Sequence, residues 1–274
     1  MTKIGKFFLN IKDKFSFSKR QQFVGVTLIL TLGLMFTQMF SGNLRFDLML
    51  VFAIITYFFS ALVLRQDLSR WEWLTLLILP AFYSAAIFLF YFLLPTRWLT
   101  RIPIAILYSI GMYAILLTEN IYNVAAQRNI QLLRAAHSVG FLLSLVTVFL
   151  LSEILISLHL PYYLNSLFTL CIIFPLTLQA LWSIELTENI SALSWWGSVV
   201  VSVICVGLVG VFSFWPIPVT IEALFVTTVF YSLIGIIQQH LVGRLFENTL
   251  REYLLILILG LILIIFTTHW GSRI

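Results

Sequence analysis

Few side chains in this sequence can do chemistry, and those that can are scattered through long apolar runs. Glu153 lies in LLSEILISL with apolar neighbours on both sides. An ionised carboxylate there costs several kcal/mol unless it is paired, hydrated or protonated, so it must face protein or water. Proton or cation coupling, or an acid role in catalysis, would use such a group. A second concentration is TENIYNVAAQRNIQLLRAAHSVGF, residues 118–141. At helical spacing Glu119, Asn123, Gln127, Gln131, Arg134 and Ser138 form one polar flank, and Ile121, Val124, Leu132 and Leu133 supply an apolar one. That pattern predicts an interfacial helix on which Arg128 and Arg134 attract phosphate and His137 stands at the membrane rim. The plainer expectation is a linker helix held by Glu-to-Arg pairs and snorkelling arginines.

Two more groups complete the candidates. Glu222 follows Pro216 and Pro218 in WPIPVTIEALF, where a carboxylate in the first helical turn is favoured by the exposed amides, with Thr220 as N-cap. If Glu222 and Glu153 converge with Arg97 or Arg101, they form a charged mouth for a polar substrate. The run Gln238, Gln239, His240, with Arg244, Glu247, Arg251 and Glu252, could complete a cleft beside Glu119, Arg134 and His137. Equally, such polar residues serve as interhelical glue.

The absent motifs exclude several chemistries. There is no GxxxxGKS or GxxxxGKT loop, no HExxH and no GxSxG elbow. The only aspartates, Asp13, Asp47 and Asp67, lie near span boundaries and form no magnesium-binding pair. An aspartyl protease, an Asp-rich prenyl transferase and a rhomboid-like Ser/His enzyme are disfavoured, as is a selective ion filter built on Gly-rich re-entrant loops. No cofactor and no metal are expected. Cys171 and Cys205 read as buried free thiols.

The elements that must position these residues follow from composition. Of 274 residues 61% are hydrophobic and only 10% charged, far short of a soluble protein's polar skin, so lipid is the expected solvent. Nine spans can be drawn, at 23–40, 46–64, 73–94, 102–118, 134–156, 163–183, 193–214, 219–241 and 252–268. Most match a hydrocarbon core of about 30 Å. The reading is an all-α polytopic membrane bundle over residues 23–270, preceded by a basic cytoplasmic tail or interfacial helix, 1–22.

Loop charge sets the orientation. Twelve of the sixteen Lys and Arg fall on the side shared with the N-terminus, which predicts a cytoplasmic N-terminus in the cell membrane. Six of them stand in the first twenty residues, so the net charge of +5 points to anionic lipid headgroups rather than nucleic acid. The tail is no cleaved signal peptide by its pattern, since the apolar run after it is too long and lacks a small-residue cleavage site. LTENI occurs at 117–121 and again at 186–190, and Glu247-Asn248 repeats its core, which suggests repeated helical hairpins; turn chemistry alone also explains it. Pro80 and Pro175 lie mid-span and can kink their helices. Small pairs such as Ser198 and Ser202 allow close helix packing.

The leading expectation is a multi-pass protein that binds or moves a small polar or lipid-linked substrate. A non-catalytic subunit contacting a protein partner or a second copy is the first alternative. An intramembrane enzyme acting on lipid or lipid-linked glycan, with Glu153 or His137 as acid or base, is the less favoured one.

Overall fold

A computed structural model describes residues 18–37, 45–64, 72–93, 98–125, 132–187 and 190–268. The basic tail up to residue 17 and the loop residues Arg97 and Arg128 lie outside them. Among the described residues the chain is all-α, with nine helices and no strand. They are α1 (Lys19–Thr37), α2 (Arg45–Leu64), α3 (Glu72–Leu93), α4 (Trp98–Ala125), α5 (Leu133–Ser157), α6 (Tyr162–Glu185), α7 (Ala192–Phe212), α8 (Val219–Leu241) and α9 (Glu247–Thr267). Each corresponds to one drawn span. Eight are long and apolar enough to cross a membrane; α1 falls short because it opens on Lys19, Arg20, Gln21 and Gln22.

The bundle exposes large apolar side chains at its surface and sets small hydroxyl residues among the apolar side chains of its core. Leu32, Phe58, Ile110, Phe214 and Phe266 are exposed, while Thr56, Ser84, Ser144, Thr177, Ser194, Ser198 and Ser202 are buried. Hydrocarbon solvates the first set, leaving small hydroxyl residues for the helix contacts. Most of these hydroxyls close a bond on their own helix, as Ser198 Oγ does on the Ser194 carbonyl at 2.7 Å and Ser202 Oγ on the Ser198 carbonyl at 2.6 Å. That serine stripe seats α7 against α6. Helix α5 is central, packing on α3, α4, α6 and α8, whereas α9 packs chiefly on α8.

Helix ends follow turn chemistry. Pro161 and Pro218 occupy the N-cap positions of α6 and α8, where a missing N–H costs nothing. Ser191 caps α7, its hydroxyl accepting from the Ser194 amide at 3.0 Å. The helices α3 and α6 continue through Pro80 and Pro175.

Four expectations are corrected. Residues 118–125 belong to α4 and 133–141 to α5, so the flanks of the proposed interfacial helix are ends of two membrane helices; residues 126–131 lie outside the described residues. The fourth helix runs on because Glu119 and Asn123 find buried partners and need not leave the bilayer. Identical spelling does not carry identical structure: LTENI at 117–121 is inside α4, while Leu186 of the second copy ends α6 in a left-handed conformation, φ 48°. Thr220 is not the N-cap of α8, because Pro218 holds that place. Cys171 faces outward and only Cys205 is buried; both are free.

Candidate functional site

One end of the bundle holds an open cleft of about 800 Å³ between α5, α6, α8 and α9. Arg134, His137 and Ser138 enter it from the first turns of α5, with Phe141, Leu142 and Leu145 below them on the same helix face. Gln238 and Gln239 come from the last turn of α8, and Tyr231 and Tyr253 form an aromatic wall. Arg244 closes the opening because Gly243, just past the Val242 C-cap of α8, has a φ of 70° that lets the chain reverse, and the Arg244 amide then returns to the Gln239 carbonyl at 2.8 Å. The cleft is therefore cationic at its mouth and apolar below.

The polar walls are tied to the scaffold. His137 Nε2 donates to the Ser183 carbonyl at 2.8 Å, since a carbonyl can only accept; Nδ1 is the ring nitrogen left over. Its ring lies 5.5 Å from that of Tyr122, whose hydroxyl donates to the Ala136 carbonyl at 3.0 Å. Gln238 Nε2 donates to the Ala180 carbonyl at 3.0 Å, locking α8 to α6. Gly235 makes room for the Tyr253 ring: a Cβ there would lie 2.5 Å from the ring carbons. Gly235→Ala is expected to swing the Tyr253 ring out of the cleft, which a structure of the variant checks.

Behind Tyr122 and His137 sits a second polar group, fully enclosed. Glu119 is 0% exposed and accepts at Oε1 from Gln179 Nε2 at 2.7 Å. Glu119 stands six residues before the end of α4 and Gln179 six before the end of α6, so both lie at the same depth, about 9 Å inside. Asn123, one turn beyond Glu119, donates Nδ2 to the Leu64 carbonyl at 3.2 Å and so pins α4 to the end of α2.

The expected residues thus divide. Arg134, His137, Gln239 and Arg244 converge with Gln238 in the cleft as the sequence pattern suggests. Glu119 does not line it, being enclosed where α4 meets α6, and His240 is exposed outside it. Arg251 and Glu247 pair with each other at 3.6 Å on the surface of α9. Glu153 and Glu222 sit at the opposite end of the bundle. Thr220 Oγ1 donates to Glu153 Oε1 at 2.9 Å, bringing the start of α8 to the end of α5, and Glu222 is buried in the first turn of α8. Glu153 stands sixteen residues from His137 on one helix, about 24 Å away, so the two cannot serve one headgroup.

Gln179 is the residue that sequence reasoning missed. A lone amide in IIFPLTLQALW is the only signal it leaves, and its partner is sixty residues away. Tyr231 and Tyr253 were likewise indistinguishable from packing aromatics.

The chain belongs to the family described as Protein of unknown function (DUF5656), which it matches over residues 30–267. No curated protein and no solved structure matches it. It is a multi-pass membrane protein.

Proposed function

We propose that this member of the DUF5656 family binds an anionic amphiphile in the cleft, its charged head against Arg134 and Arg244 and its apolar chain along Phe141, Leu142 and Leu145. The observation that carries this reading is the pairing of two arginines and an imidazole with an apolar floor in one opening of about 800 Å³. Guanidinium groups bind phosphate and carboxylate oxygens through forked hydrogen bonds, and a volume of this size suits a headgroup with part of a chain. A small polar solute would gain nothing from the leucine and phenylalanine floor. Full-length protein in detergent, titrated with phosphatidylglycerol or phosphatidic acid and with phosphatidylcholine, is expected to bind the anionic lipids saturably and at least tenfold more tightly. Equal binding of all three would sink the proposal.

We assign the cleft to the cytoplasmic side, because the helix ends that form it share a face with the Lys/Arg-rich loops. A membrane-impermeant maleimide is then expected to label Gly243→Cys, in a chain with Cys171→Ser, only after permeabilisation. The subunit reading draws support from α9, in which Ile264 is the one buried residue. A stoichiometric protein retained in mild detergent would favour it.

A further inference from the structure

We propose that the cleft is a lateral portal, which takes a two-chain anionic lipid sideways out of the surrounding leaflet and seats one of its chains while the other stays in the bilayer. This route rests on the reading of the cleft as a site for an anionic amphiphile. Its warrant is an edge that lines the cleft and at the same time faces hydrocarbon. Arg134, Ser138 and Leu142 stand four residues apart on α5, all three line the cleft, and all three are exposed. Leu142 is 60% exposed, as much as the lipid-facing Ile110 of α4 at 61%.

The helix arrangement leaves that edge open. Helices α5 and α9 each pack along α8 and not along each other. An aromatic strip joins the three: the Tyr231 ring of α8 stacks on Phe141 of α5 with centroids 5.7 Å apart, and meets the Tyr253 ring of α9 at 5.5 Å. Helix α8 therefore backs the cleft, and the side away from it is uncovered. Leu142 lies nine residues from the start of α5, about 14 Å along the helix, whereas Arg134 is in its first turn. Half of the apolar core of a bilayer is about 15 Å thick, so the open edge runs from the rim down into hydrocarbon.

Volume and depth select the ligand. About 800 Å³ suits a head with part of one chain and cannot enclose a whole two-chain lipid. A closed pocket of that size would exclude such a lipid; an open edge leaves its second chain in the leaflet. A lipid arriving through water would expose its methylenes on the way, at a cost that grows with each of them. Sliding past Leu142 exposes none, and the head reaches Arg134 and Arg244 without leaving the rim. A water-soluble phosphate needs no such edge and would leave Phe141, Leu142 and Leu145 without an apolar partner.

The test uses the full-length chain in phosphatidylcholine nanodiscs, with Leu142→Cys or Ile110→Cys introduced beside Cys171→Ser, since Cys171 is the exposed thiol and Cys205 is buried. Benzyl methanethiosulfonate, which reaches both new thiols from the hydrocarbon, is the probe. Dioleoyl phosphatidylglycerol in the bilayer is expected to slow modification of Leu142→Cys at least fivefold and to leave that of Ile110→Cys unchanged. Once Leu142→Cys carries the benzyl group, its affinity for phosphatidylglycerol should fall at least tenfold. In the wild-type chain a hundredfold excess of glycerophosphoglycerol, the same head without its chains, should displace none of the bound lipid. Slowing that is absent or equal at both positions, unchanged affinity after modification, or displacement by the bare head overturns the portal; if the wild type still prefers phosphatidylglycerol to phosphatidylcholine, the anionic site stands without it. Loss of that preference in the wild type overturns both. The displacement arm needs no substitution, so it decides even where Leu142→Cys fails to fold.

Discussion

Substituting both Arg134 and Arg244 by alanine is expected to cut the affinity for anionic lipid by at least a hundredfold and leave the weak binding of phosphatidylcholine unchanged. Hydrogen bonds to charged groups contribute about 1.5 to 3 kcal/mol each, so losing one guanidinium gives roughly a tenfold to hundredfold effect. The two sit on different elements, α5 and the turn after α8, and neither holds the bundle together, so the thermal midpoint should move little. Lysine at both positions should give an intermediate affinity, since it keeps the charge and loses the planar fork. Because both arginines are exposed, raising the salt concentration should weaken binding in the wild type and have almost no effect on the double alanine protein. Binding assays with headgroup-matched lipids over a salt series check all of these at once. A double alanine variant that still prefers phosphatidylglycerol would remove the arginines from the site.

The second large effect concerns stability. Gln179→Leu should lower the thermal midpoint sharply, because it leaves the Glu119 carboxyl group buried without its hydrogen-bond partner. Breaking a buried polar pair on one side typically costs about 3 to 5 kcal/mol, whereas replacing both partners with apolar groups of similar volume is near neutral. Glu119→Met/Gln179→Leu should therefore recover most of the loss. The interaction energy from this cycle distinguishes a buried pair from general packing, where the two losses would simply add. A double variant no more stable than Gln179→Leu would show that the pair is not the source of the cost.

The legible part of the site is instructive. Arg134 and His137 were recognisable because polar residues at the boundary of an apolar run have few reasons to be there. Their partners Gln238 and Gln239 stood out for the same reason at the end of α8. Glu119 also stood out, yet its direction did not: one helix face was read as continuous from Glu119 to Ser138, whereas the chain breaks into two helices whose ends present different sides. Gln179 went unseen because a single amide in an apolar helix has the same local pattern whether it faces a carboxylate or a backbone carbonyl. Glu153 drew attention as an isolated charge, and Thr220 supplies it with a hydroxyl from a helix that no spacing rule links to it.

The pattern of apolar runs determined that this chain lies in a membrane as a stack of helices and where most of them begin and end, although α4 runs from Trp98 to Ala125 where 102–118 was drawn. In hydrocarbon a backbone must satisfy its own hydrogen bonds, so apolar length translates directly into helix. Which faces meet was decided only by the tertiary structure. Lipid tails are as apolar as leucine, so hydrophobicity carries no information about which side of a membrane helix turns inward, and only packing and polar pairing across sixty residues of chain brought Glu119 to Gln179 and Arg134 to Arg244.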